Sequence, residues 1–233
     1  MFKDLLRDMA QSQTPDVPVE IIPNTHRWNV IDSLTGRENI GIELGVAAGS
    51  FSARMVQSGK FQQFFGVDVY GDTHDITEYK KALRTVGLRS NYHLLRMTFD
   101  DALDLFPDNF FDFIYVDGYA HTGEEGGRTL IDWYAKLKPG GVMAGDDYDA
   151  QRWPLVVWAV HHLVAQLGLS LKVTDQVQDA AYNKFRSWFF TKPVDVAAVS
   201  LTASPELVNL GDMEKAAKAE ERKKRQAARK AQR

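Results

Sequence analysis

The sequence contains no cysteine. That absence removes structural disulfides, thiolate metal sites and thiol nucleophiles together, so any chemistry must run on carboxylates, histidine, hydroxyls, backbone amides or a cofactor. Long apolar runs are also missing: none approaches the ~20 residues of a membrane span. The opening stretch MFKDLLRDMAQSQTPDVP interrupts its apolar positions with charge, unlike a signal peptide. A soluble, cytoplasmic protein is the expectation. With 17 glycines and 8 prolines in 233 residues, and 44% hydrophobic against 25% charged content, the chain is neither collagen-like nor wholly disordered, and it is long enough for a three-layer core. Its net charge of −3 hides a division. From Asp212 to Arg233 there are nine Lys/Arg and four Asp/Glu, which makes the tail +5 and the preceding body −8. An acidic body is poorly suited to neutralising phosphates, so nucleic-acid contact is left to the tail alone.

From Asn39 onward, apolar runs alternate with segments of helical spacing. The runs are IGIEL, FFGVDVY, YHLLRM, FDFIYVD and GVMAGDDY, and the helical segments are Ser52 to Gln57, Tyr79 to Val86, Asp101 to Leu105, Arg128 to Leu137 and Trp153 to Gln166. This alternation predicts a mostly parallel sheet with helices on both faces. Strand candidates at Ser170 to Thr174 and Arg186 to Thr191 have no full helix between them, so an antiparallel pair should end the sheet. Gly59, Lys138-Pro139-Gly140-Gly141 and Gly168 read as helix stops. Before Asn39, an amphipathic start (Phe2, Leu5, Leu6, Met9), a Pro-rich link and a short helical candidate from Thr25 to Leu34 read as cover elements. The expected division is therefore a helical cover or lid at 1–38, a ligand-binding domain at 39–192, a linker at 193–211 and a basic, helical or disordered tail at 212–233.

In an open parallel sheet, ligands bind outside the carboxyl ends of the strands at the topological switch point. The first of these strands ends in Glu43-Leu44-Gly45-Val46-Ala47-Ala48-Gly49-Ser50. Two glycines permit a tight turn and close backbone approach, and Ser50 is placed to cap the next helix. The spacing is E-x-G-x-x-x-G, without the G-x-G-x-x-G that seats a pyrophosphate, so dinucleotide binding is disfavoured. The next strand ends at Asp68, where an acidic side chain suits a ribose diol.

Glu43 to Gly49, Asp68, Leu95 to Asp101, Asp117-Gly118-Tyr119 and Lys138 to Gly141 together resemble the successive motifs of class I S-adenosylmethionine-dependent methyltransferases, over roughly residues 39–192. The resemblance implies a three-layer αβα Rossmann-like sandwich with a seven-stranded sheet of order 3-2-1-4-5-7-6 and strand seven antiparallel. It also implies S-adenosylmethionine as cofactor. Glu43 and Gly45 would face its methionine end, with Gly49 and Ser50 completing the turn. Asp68 and Val69 would lie at the ribose, Thr98 and Phe99 at the adenine, and Asp117 and Tyr119 beside the sulfonium.

Asp117 and the pair Asp146-Asp147 end neighbouring strands ~4.8 Å apart and could converge on one cation. Three oxygen ligands with room for water suit Mg2+ or another divalent ion. In this the chain resembles the metal-dependent O-methyltransferases of the catechol and caffeoyl-CoA type. Those enzymes have a lysine three positions after the first Asp, and here that position is Ala120. His121 is the nearest candidate base, and Asp117 to Thr122 is similar to the D-G-x-H loop of bacterial methyltransferases acting on sugars and natural products, with one more residue before the histidine. A loop histidine that only packs, and an aspartate pair that only makes a turn, are the structural alternatives. Nearby Glu124, Glu125 and Arg128 read as a first helical turn. Tyr148, Trp153 and Trp158 could stack on an acceptor, although Trp158 shares helical spacing with Leu155 and His162 and fits the core.

The strand ending at Asp117 continues Gly-Tyr-Ala instead of the Pro-Pro-aromatic clamp of amino-methyltransferases, so the expected reaction is O-methylation of a small-molecule or glycan hydroxyl. Alternatives are an RNA or protein methyltransferase tethered by the basic tail, and a non-catalytic cofactor-binding scaffold. The first 38 residues read equally as a lid and as the contact of a homodimer.

Overall fold

A computed structural model describes residues 2–71, 75–117, 126–178, 183–195 and 199–231. Its centre is an eight-stranded sheet built from β1 (Val19–Ile22), β2 (Asn39–Leu44), β3 (Phe61–Val67), β4 (Tyr92–Leu95), β5 (Phe111–Val116), β6 (Leu137–Gly145), β7 (Leu171–Thr174) and β8 (Trp188–Thr191). The order across the sheet is β1-β7-β8-β6-β5-β2-β3-β4. Read from the β4 edge, this is the expected seven-stranded order with one strand added at the far side. β8 runs antiparallel to both β6 and β7, and the remaining neighbours are parallel.

Strand side chains alternate between the two faces, and that period of two sorts the core into layers. Ile42, Leu44, Ile114 and Val116 pack with α1 (Phe2–Gln13), α4 (Phe99–Leu103), α5 (Arg128–Lys136), α6 (Pro154–Leu167) and the start of α7 (Pro205–Ala231). Phe113 and Tyr115 pack on the other face with a 3-10 turn (Arg27–Ile31) and α2 (Ser50–Gln57), where α3 (Ile76–Val86) adds Val86. Helix α6, PLVVWAVHHLVAQL, is apolar nearly all round because α1 and α7 cover the side turned away from the sheet. It ends at Gly168, which adopts φ 63° and returns its N–H to Ala165 and Val164.

Three boundaries differ from the sequence reading. Val19–Ile22, taken as part of a link, is a parallel edge strand on β7; flanking Pro18 and Pro23, which have no N–H to pair, confine it to four residues. Lys138 to Gly141 does not stop α5, which ends at Lys136; it lies inside β6, where the register against β5 shifts and Gly140 takes φ 80°. The expected linker at 193–211 contains the start of α7. Ser204 accepts the Leu207 amide at 3.2 Å as a cap, and Leu207 and Leu210 are buried against the body. No described helix is long and apolar enough to cross a membrane.

Candidate functional site

The carboxyl ends of β2 and β3 carry a turn held by one carboxylate. After Leu44 the chain passes through Gly45 (φ 95°), Ala47 (φ 46°) and Gly49 (φ 80°). Asp68, 5% exposed, accepts the Val46 and Ala47 amides at 3.1 and 2.9 Å on one oxygen and the Tyr70 amide at 3.1 Å on the other. Tyr70, not singled out in the sequence, donates its hydroxyl to the Ala47 carbonyl at 2.8 Å, and burial pushes its phenol well up. Arg96 donates to the Val69 and Tyr70 carbonyls, so Val69 sits at a backbone junction. The two glycines serve different ends. Gly45 turns the strand, whereas a Cβ on Gly49 would meet the Ala82 backbone and the Val86 side chain at 3.1 Å, so its bareness lets α3 approach. The helix N-cap is Gly49, with no side-chain cap, and Ser50 is the first helical residue, which corrects its expected capping role.

Glu43 points to the α2 face, where the Ser52 hydroxyl donates to it and the Tyr92 hydroxyl donates to Ser52 at 3.1 Å. It is 2% exposed, and burial holds its carboxyl well above the usual range, with Asp117 and Asp68 acting in the same direction. Glu43 thus lies under the turn and not open at the strand tips. Thr98 caps α4, accepting the Asp101 amide at 3.1 Å and donating to the Asp101 carboxylate at 2.7 Å. Phe99 is buried in the core beneath it.

The tips of β5 and β6 are joined by a residue absent from the sequence expectations. Arg27, on the 3-10 turn and 3% exposed, donates from Nη2 to Asp117 Oδ2 at 2.6 Å and reaches Asp146 Oδ2 from Nη1 at 3.1 Å. Its guanidinium lies 5.0 Å from the Phe51 ring centre and 5.2 Å from that of Tyr115. Burial works against the Arg27 charge, but the Asp146 and Asp117 carboxylates outweigh it and hold the group firmly protonated. Ser187 donates to Asp146 Oδ1 at 3.2 Å and sits 3.0 Å from the Tyr115 hydroxyl. Asp147 is half-buried with φ 57°.

This arrangement does not fit the expected Mg2+ ligand set. Two of the three carboxylates, Asp117 and Asp146, are turned onto a fixed guanidinium, and a dication between them would meet that charge. Among the described residues, no group of three His, Cys, Asp or Glu is placed to hold a metal ion. His121 and Tyr119, with Gly118, Ala120, Glu124 and Glu125, lie outside the described residues.

Of the aromatic candidates, Trp158 is a core residue at 2% exposure and Trp153 packs edge-on against Phe185. Tyr148 is tied to His161, missed in the sequence: Tyr148 Oη lies 2.7 Å from Nε2, and Nδ1 lies 2.8 Å from the Pro15 carbonyl. The carbonyl can only accept, so Nδ1 carries the proton and Nε2 accepts from the tyrosine. Burial lowers the His161 pKa and pushes Tyr148 up to about 12.

Comparison with known proteins places this geometry. Residues 39–148 match the family model of a methyltransferase domain. Spermidine synthase from Thermotoga maritima is similar in fold at 16% identity, over 78% of this chain and 67% of its own, with a TM-score of 0.56. An S-adenosylmethionine-dependent methyltransferase from Mesorhizobium loti aligns at 19% identity over 53% of this chain, with a TM-score of 0.40; this chain spans 54% of that one. No curated protein matches the sequence. The fold is the Rossmann-like α/β fold of the class I S-adenosylmethionine-dependent methyltransferases. Within that fold, residues 39–148 are the stretch that matches a methyltransferase domain.

Proposed function

We propose that the protein transfers a methyl group from S-adenosylmethionine to an oxygen of a small-molecule or glycan hydroxyl. The observation that carries this reading is the crowding of the glycine turn, Asp68, Asp117 and Asp146 at the carboxyl ends of β2, β3, β5 and β6, across the β2/β5 switch point and within the stretch that matches a methyltransferase domain. S-Adenosylmethionine supplies the electrophilic methyl group and its neutral sulfide leaving group. The chain's own residues do the rest. The backbone of the turn from Gly45 to Ser50 approaches the methionine end above buried Glu43, Asp68 and Val69 hold the ribose, and Thr98 and Phe99 border the adenine. Asp117 and Tyr119 line the sulfonium side, and His121 takes the acceptor's proton. Binding both partners in one cleft converts a bimolecular displacement into an oriented one.

The test is calorimetric titration with S-adenosylhomocysteine, followed by release of S-adenosylhomocysteine on mixing S-adenosylmethionine with matched panels of hydroxyl and amine acceptors. Micromolar binding and turnover on a hydroxyl are expected. Absence of binding sinks the cofactor assignment, and turnover confined to amines sinks the oxygen assignment. The basic tail keeps one rival in view, an RNA-directed enzyme, which requires salt-sensitive RNA binding that vanishes on removing residues 212–233.

A further inference from the structure

We infer that Arg27 is the resident counter-cation of Asp117 and Asp146, a positioning residue that makes this end of the site independent of a divalent metal. The argument begins with charge. Asp117 and Asp146 end adjacent parallel strands, and Asp146 is only 7% exposed. Two carboxylates converging where water is scarce require a positive partner, because an uncompensated buried charge is strongly disfavoured. A divalent ion is one partner that chemistry offers, and a guanidinium is the other. Arg27 is already there, with one nitrogen on each carboxylate. Its planar fork matches two carboxylates as a lysine would not, and it does not deprotonate.

The position of Arg27 is also fixed by contacts that do not involve the aspartates. Upstream, the Asp175 carboxylate accepts the Asn24 and Thr25 amides at 3.0 and 2.9 Å. Downstream, Lys60 Nζ donates to the Ile31, Asp32 and Leu34 carbonyls at 2.7, 3.2 and 3.0 Å, closing the end of the 3-10 turn. Trp28 is held between His26, stacked at 4.4 Å, and the Arg54 guanidinium at 3.8 Å. The stacked rings of Phe51 and Tyr115, 4.0 Å apart, lie beside the Arg27 guanidinium. The cation is thus delivered by a preorganised piece of the N-terminal segment. Asp117 keeps 26% of its side chain exposed, so the tethered carboxylate remains at the surface where an acceptor would enter.

That this end of the site receives an acceptor rests on the methyltransferase reading; the ion selectivity does not, and the experiment separates the two. Mn2+ binding to the full chain is followed by electron paramagnetic resonance without any donor, and thermal unfolding is recorded with and without Mg2+. The wild-type protein should hold no Mn2+ at Asp117 and Asp146 and show an unchanged Tm. Arg27→Met should gain one Mn2+ and recover several degrees of Tm with Mg2+, and adding Asp146→Asn should abolish both gains. Arg27→Lys should retain metal indifference. Wild-type Mn2+ binding that Asp117→Asn removes overturns the inference, as does an Arg27→Met protein whose Tm no divalent ion moves. If Arg27→Met does not fold, the wild-type arm and the Arg27→Lys protein still decide the matter. A wild-type protein that fails to bind S-adenosylhomocysteine would defeat the proposed function and leave these ion measurements readable.

Discussion

Replacing Asp68 with alanine tests whether one side chain holds both the turn and the ligand. Asp68 accepts three backbone amides, those of Val46, Ala47 and Tyr70, at 2.9–3.1 Å from a nearly buried position. Two of the residues it touches have left-handed backbones without being glycine, Ala47 at φ 46° and Tyr70 at φ 44°. Such conformations cost of order 1–3 kcal/mol each and persist only when their surroundings hold them. A hydrogen bond to a charged group contributes about 1.5–3 kcal/mol net, so three bonds set a range of about 4.5–9 kcal/mol before any compensation. Water entering the space left by the carboxylate would satisfy part of the loss, and relaxation of the two strained residues would return more. A net loss of about 3 kcal/mol in Asp68→Ala is therefore expected, which a domain of ordinary stability, about 5–15 kcal/mol, survives. Urea unfolding followed by circular dichroism reads it as a lower midpoint at unchanged slope.

Asp68→Asn separates the two roles. It keeps one oxygen for the Val46 and Ala47 amides but presents an NH2 group to Tyr70, so its stability should fall between wild type and alanine. A ribose held by the carboxylate would lose affinity tenfold or more in the asparagine protein while the fold remains. A loss below about 1 kcal/mol in Asp68→Ala would refute the turn-locking argument, since water and backbone relaxation would then replace the three buried charge-assisted bonds almost completely. Unchanged S-adenosylhomocysteine affinity in Asp68→Asn would remove the ribose assignment by itself.

Three further outcomes are expected. Leu207 is fully buried at the start of α7, so Leu207→Ala should cost about 2–4 kcal/mol. Ending the chain at Gly211 should cost under about 1 kcal/mol, because residues from Asp212 to Glu221 are exposed or half-exposed, and equal losses in a urea titration would contradict the docking described for α7. His161 is held neutral by burial, its folded pKa lying below the ordinary value of 6.5, so the unfolded chain binds the extra proton first. Stability should be full above pH ~6.5 and decline as the pH falls from there through the lowered folded pKa, and this part of the Tm profile should flatten in His161→Asn; an identical profile would exclude His161 as its source.

Much of the fold was legible because its signals are local and periodic. FFGVDVY and FDFIYVD are apolar runs of strand length, Arg128 to Leu137 has helical spacing, and Gly59 and Gly168 punctuate, so the alternation of strands and helices emerged, while the strand order, one strand short, came from the resemblance to class I methyltransferases. Val19–Ile22 was missed because four residues between prolines carry too little pattern to outweigh the link they resemble. The start of α7 was available in Ser204-Pro205-Glu206, a cap followed by proline at the first helical position, but the charge change at Asp212 drew the boundary instead. At the site, the strand-tip acids could be named from position alone, yet position does not say what each acid binds. Asp68 turned out to serve its own backbone, Thr98 its own helix, and Asp117 a residue 90 positions earlier in the chain. Nothing in the spacing of Arg27 ties it to the sheet, since it stands in a short cover segment with no repeat to set its phase. Two of the three carboxylates that read as a magnesium site on the strand tips alone become partners of Arg27 once the N-terminal segment is laid across them. The identity of the counter-charge is thus decided by tertiary placement, which is why it is the part of the site that a motif could not carry.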